Sequence, residues 1–351
     1  MTRSRPPQPT HRPSQRPTPS PAAKSSPPRN PYALNPNPEV VDPRWLLKAI
    51  GLMVLLALVC GYLSLCVLFY QGQWQLVLHP SRSTPAPAAI AGTPIVPIHF
   101  GIDESAMPQL TGWWIPAPPL ASQGPLYGGT TILYLPSGDG SLADSDAPIT
   151  LAALHAAGLN VFAFDYRGFG QSAPLHPNQR RMQQDAAFSW QYLTDSRHLA
   201  PTQIVLFGTG VGAALATQLA AQHPQAPALI LDAPRPNLLQ LVAADSRAKL
   251  LPVRLLFHDR FELAPTLATL STPKLLVANS QARQSSHPGS GDQTAALYRA
   301  AANPKFTLHL SASPADNPAM LQQAFTRFFD QYLPTSPDTK PLTAPQLPTL
   351  R

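Results

Sequence analysis

A chain of 351 residues, 44% hydrophobic and 12% charged, is long enough for one large domain with tails or for two small domains. Its formal charge of +7 is uneven: eight of the 25 Lys/Arg fall in residues 1–48, against Glu39 and Asp42. The 17 basic and 16 acidic groups that remain nearly cancel, which excludes an electrostatic footprint for nucleic acid.

Residues 1–48 hold 13 of the 44 prolines among Ser, Thr, Gln, Asn and Arg. So few apolar side chains cannot build a core, and the composition predicts an extended, disordered basic arm. Residues 334–351 read as a second proline-rich tail. Ala49 to Tyr70 is a run of 22 residues without a charge, long enough at about 1.5 Å per residue to cross a bilayer. Trp45, Lys48, Tyr70 and Trp74 flank it as interface anchors. The run is longer than the core of a cleaved signal peptide. With no Lys or Arg between 49 and 81, the positive-inside rule places the N-terminus in the cytoplasm. The expectation is a single-pass signal anchor with residues 71–333 as an extracytoplasmic domain. Cys60 and Cys66 both fall in the run, so that domain has neither disulfide nor thiol nucleophile.

Beyond the run, strands are predicted at Trp74–His79, Ile95–Phe100, Leu110–Ile115, Thr130–Leu135, Asn160–Phe164, Gln203–Phe207, Ala228–Leu231, Lys274–Ala278 and Lys305–Leu310. Helices are predicted at Pro148–Ala157, Asn178–Asp195, Val211–His223, Gln293–Ala302 and Pro318–Tyr332. In the second of these, Met182, Ala186, Trp190 and Leu193 share one face. Strands first and then strictly alternating elements predict an α/β, mostly parallel, doubly wound sheet with an antiparallel edge.

The centre of the domain is Ile204 to Pro224: a β-branched strand, the turn Gly208-Thr209-Gly210-Val211-Gly212, and an alanine-rich helix. Strand, sharp turn and helix are the context of the G-x-S-x-G nucleophile elbow, here with Gly210 at the serine position. A plain tight turn explains the glycines equally well. A dinucleotide fingerprint fails, because Ala213 stands at its third glycine and the strand is not the first of a βαβ pair. No cofactor signature is present, and Asp139, Asp144 and Asp146 match no metal-ligand spacing.

The blocks Leu110–Ala117, Phe164-Asp165-Tyr166-Arg167-Gly168-Phe169-Gly170-Gln171-Ser172, the elbow, Leu229–Pro234 and Leu255–Phe261 resemble, in order, the α/β-hydrolases of the bud-emergence type. These are membrane-anchored relatives of lipases and serine aminopeptidases. The resemblance implies an eight-stranded sheet with a Ser–Asp–His triad, and three of its positions are degenerate here. Gly210 replaces the nucleophile, Ala282 stands at the acid, and Ser311 to Asn317, the loop expected to carry the histidine, has none. The nearest residues are poor substitutes: Thr209 should point away, Asp292 suits a helix start, His309 lies within a strand and His287 in a loop. Pro136-Ser137-Gly138-Asp139-Gly140 replaces the usual H-G-N-x-G. The N–H groups of Gly138 and Val211 are the candidate oxyanion-type donors.

The expectation is a membrane-anchored pseudoenzyme that acts as a binding or scaffold protein, with a small acyl or lipid-like ligand implied by the resemblance alone. The alternative is an active esterase, lipase or serine peptidase whose displaced nucleophile is Ser137 or Ser172, with His287 or His309 as base. No metal, cofactor or particular protein partner follows from the sequence.

Overall fold

The computed structural model describes residues 43–333 except 83, 103–106, 119–126, 128, 280–289 and 311–317. The proline-rich arm and tail, Ala282 and His287 therefore lie outside the described residues. The chain divides into a unit ending at Cys60 and a second unit, Gly61–Arg351.

The apolar run becomes helix α1 (Pro43–Gly72), with mean hydropathy 2.7 over its most apolar window and no side chain buried. It is the one helix among the described residues long and apolar enough to cross a membrane. The predicted strand Trp74–His79 does not form. A 3-10 turn (Gln73–Leu76) follows α1, then buried Val77 and Leu78. Gln73 is buried, with its amide bonded to Leu256 O and His258 N, and this long-range contact holds the chain in a turn where the composition suggested a strand.

The other eight predicted strands all form and make one sheet. They are preceded by a two-stranded ribbon, β1 (Ala89–Ile90) and β2 (Thr93–Pro94), that the sequence did not announce. The sheet comprises β3 (Val96–Ile102), β4 (Pro108–Ile115), β5 (Thr131–Leu135), β6 (Asn160–Asp165), β7 (Ile204–Thr209), β8 (Leu229–Asp232), β9 (Lys274–Asn279) and β10 (Lys305–Leu310). Its order is β10-β9-β8-β7-β5-β6-β4-β3. Pairing is antiparallel only at β3–β4 and β4–β6.

Alternating side chains feed two cores. Leu133, Leu135, Ile204 and Leu206 face one, shared with α3 (Gln179–Gln191), α4 (Gly212–Gln222) and α8 (Ser290–Ala300). Ile132, Tyr134, Val205 and Phe207 face the other, under α2 (Ala147–Ala156) and α9 (Pro318–Tyr332). With both faces covered, the central strands are buried throughout, as parallel sheets require. Met182, Ala186, Trp190 and Leu193 are all buried, as their spacing predicts, and the Asn178 side chain caps α3 by accepting from Arg181 N at 2.9 Å. Between β8 and β9 lie three short helices that periodicity did not reveal: α5 (Leu238–Ala244), α6 (Val253–Leu256) and α7 (Ala264–Leu267). None exceeds two turns, too little for a 3.6-residue pattern to register.

Candidate functional site

The turn from β7 to α4 has elbow geometry. Gly210 is buried and holds φ +53°, the left-handed conformation of a residue lifted above a parallel sheet. The flanking glycines permit contact closer than any side chain allows. A Cβ on Gly208 would come within 2.7 Å of Ala213 Cα, and one on Gly212 within 2.8 Å of the Leu135 carbonyl carbon.

The space above Gly210 is occupied. A Cβ there would lie 2.9 Å from Ser137 Cβ and 3.1 Å from the Ser137 carbonyl oxygen. The same carbonyl accepts the Val211 N–H at 3.3 Å, so this expected oxyanion donor is engaged inside the protein. Gly210 N donates to Asp232 O at 3.1 Å, and Arg235 N donates to Gly210 O at 3.4 Å. Gly138 has φ +78° and is wedged where a Cβ would stand 2.8 Å from both Leu78 and Val211 side chains. Thr209 is buried, and its hydroxyl hydrogen-bonds Tyr134 rather than facing the turn.

A polar network lies beside this closed turn. His79 Nδ1 meets Asp139 Oδ1 at 2.8 Å, and the Arg235 guanidinium binds the other carboxylate oxygen. The backbone of His79 clamps the same loop, with His79 N donating to Gly138 O at 2.9 Å and Gly140 N donating to His79 O at 2.8 Å. The His79 side chain is 59% exposed, against 34% for Asp139 and 28% for Arg235. Ser137 Oγ accepts from Asp139 N at 3.3 Å. Asp144 accepts from Ser81 and from Ser141, the latter at 2.8 Å. Among the described residues no cluster of three His, Cys, Asp or Glu side chains is arranged to hold a metal ion.

The other candidates sit elsewhere. Ser172 is buried, donating to Asp165 O at 2.5 Å and accepting from Thr111 N at 2.9 Å, so it ties β4 to the loop after β6. This hydroxyl is committed to backbone groups. His309 is exposed on β10, opposite Ala278, on the sheet's edge strand. Three interstrand steps of ~4.8 Å separate β10 from β7, beyond hydrogen-bond reach of Ser137. The Asp165 block is structural, as expected. Arg167 Nε and N donate to buried Asp185 at 2.6 and 2.9 Å, and Asp165 accepts from Leu142 N at 2.8 Å. A cavity of about 450 Å³ lies between α3, α4 and α7, lined by Gln183, Leu215, Gln218, Gln222 and Thr266, toward the end of α4 remote from the elbow.

The comparisons agree with this architecture. Residues 147–310 match the family profile of serine aminopeptidase, S33. An uncharacterized protein of Mycobacterium tuberculosis is 30% identical over 236 residues, 66% of this chain and 76% of its own length. The chain belongs to the α/β-hydrolase superfamily. Protein bem46 of Schizosaccharomyces pombe is 31% identical over 103 residues, 29% of this hydrolase-fold chain and 34% of its own. An esterase of Pyrococcus furiosus superposes with TM-score 0.57 at 16% identity, over 74% of this chain and 99% of its own, which shows the shared fold.

Sequence reasoning missed the role of His79 and Arg235. His79 had been placed in a strand and lies 60 residues from Asp139, so no local spacing connects them.

Two outcomes follow from the loop after β6. Ser172→Ala strands the Thr111 N–H and the Asp165 carbonyl, so urea unfolding should show a loss of about 1–3 kcal/mol. Burial pushes the Asp165 carboxyl up to about 7, against the Leu142 N–H and Arg82, which pull it down. An unfolded aspartate titrates near ~3.9, so between those values the native state holds a proton that the unfolded chain lacks. Its contribution is complete below about pH 4 and is lost as pH rises through about 7. The stability gap between wild type and Asp165→Asn should therefore shift against wild type as pH rises from about 4 to about 7, measured by urea midpoints.

Proposed function

We propose that this chain is a non-catalytic, membrane-anchored hydrolase-fold protein that serves as a binding or scaffold module. One observation carries the reading: at the attacking residue there is no side chain, and Ser137 packs over the position a Cβ would take. Acyl transfer needs a nucleophile, a base and a pre-aimed oxyanion donor, and the Val211 N–H is engaged by the Ser137 carbonyl. Helix α1 supplies the anchor, and the basic residues before it favour a cytoplasmic N-terminus with the domain outside. The acyl or lipid-like ligand is supported only by the family relationship.

A second reading is favoured by one specific contact. The His79–Asp139 hydrogen bond uses Nδ1, the nitrogen that a triad carboxylate holds, on a side chain that is more than half exposed. Ser137, two residues before Asp139, is the serine this dyad would serve.

Full-length protein in detergent, treated with a fluorophosphonate probe and short p-nitrophenyl esters, separates the two. The expected result is no labelling and no turnover. Labelling abolished by both Ser137→Ala and His79→Ala would establish the second reading and sink the first.

Gly210→Ser tests the closed turn directly. It should restore no labelling and should destabilise the protein by about 1–3 kcal/mol, because the added Cβ meets Ser137 at a left-handed backbone. Thermal melts of the variant and the wild type check this.

A further inference from the structure

Residues 246–258, between α5 and the end of the α6 turn, contain Arg247, Lys249 and Arg254 and no acidic residue. Ala248, Val253 and Phe257 are buried and hold the segment to the domain. Leu250 and Leu255 point outward, and each is 82% exposed. Two leucines that bare, on a segment otherwise well anchored, need an apolar surrounding.

The segment is also tied to the last turns of α1. Tyr62 Oη donates to Leu250 O at 3.3 Å. Further along α1, the Tyr70 and His258 rings lie 4.7 Å apart. Gln73 receives His258 N at 2.9 Å and donates to Leu256 O at 3.4 Å. The two chains thus run side by side, residues 250 to 258 against residues 62 to 73. Tyr62 stands eight residues before Tyr70, or ~12 Å along the helix axis. If Tyr70 marks the rim of the apolar span, the Tyr62 hydroxyl holds the Leu250 backbone on the membrane side of that rim.

We propose that residues 249–256 form a second, shallow membrane contact, inserting Leu250 and Leu255 at the headgroup–acyl boundary beside α1. This rests on the anchor reading of α1. The partner is the lipid leaflet on the domain's side. Leucines enter the acyl boundary while Lys249 and Arg254 extend to anionic headgroups, the arrangement of interfacial segments and snorkelling basic side chains; Arg247 instead pairs with Asp245 at 2.8 Å. The domain is thereby fixed at two points and cannot swivel freely on its helix.

Spin labels on the full chain, reconstituted in nanodiscs of phosphatidylcholine and phosphatidylglycerol, test this. Labels go singly on Leu250→Cys, Leu255→Cys and exposed Gln222→Cys in a Cys60→Ala/Cys66→Ala background, and on Cys60 in a Cys66→Ala chain. Collision with oxygen is compared with collision with a water-soluble nickel chelate. The expected result is preference for oxygen at 250 and 255, as at Cys60, and for the chelate at 222. Chelate preference at 250 and 255 with oxygen preference at Cys60 overturns the second contact and leaves the anchor standing. Chelate preference at Cys60 overturns both. Low collision with either reagent and dipolar broadening at 250 would put a second copy of the chain there, which also overturns the lipid assignment.

Discussion

The domain depends on a close approach at the β7–α4 turn that tolerates no side chain. Gly208, Gly210 and Gly212 each face a backbone or Cβ atom at a distance real Cβ atoms do not adopt. The loop after β5 is thereby drawn onto the start of α4, and Ser137 bonds Val211 across the gap. Here the two loops seal against each other. Interiors pack at crystal density, and with no side chain at Gly210 the loop after β5 packs directly onto the turn.

Closure has local electrostatic consequences. Asp139 is the hub of this region, holding His79 with one carboxylate oxygen and Arg235 with the other. Arg235 approaches from the loop after β8 and His79 from the segment after α1, so one carboxylate staples three separate parts of the chain. Exposed pairs of this kind contribute little to stability individually. Their effect is to fix the register of a glycine-rich loop that has few side chains to pack. The buried pair Arg167–Asp185 does comparable work below the sheet's edge, where a single missing partner would leave an uncompensated charge.

The eight-stranded sheet was legible because short, near-continuous apolar runs such as Ile204–Phe207 and Thr131–Leu135, rich in β-branched and aromatic residues, are bounded by turn residues. The elbow was legible because three glycines in five residues between a strand and an alanine-rich helix admit few geometries. What failed is instructive. Trp74–His79 has strand composition, but Gln73 is buried against Leu256 and His258, 183 and 185 residues away, and that contact coils the chain into a 3-10 turn. Ser172 looked like a displaced nucleophile because sequence shows a hydroxyl and not its partners. Its bonds to Asp165 and Thr111 come from strands 7 and 61 residues distant. Likewise, the engagement of Val211 N–H is a property of loop approach, invisible to any motif.

Gln73 links the two halves of the molecule's organisation. It is the first residue beyond α1, its side chain is buried, and it satisfies backbone groups of the α6 segment with both ends of its amide. A glutamine at the foot of an apolar helix would ordinarily sit in the interfacial water. Here its amide bonds to backbone of a segment anchored by buried Val253 and Phe257. His79 follows six residues later and clamps the loop that covers Gly210. Residues 73 to 79 therefore join two distant parts of the fold, the α6 segment through Gln73 and the loop over Gly210 through His79.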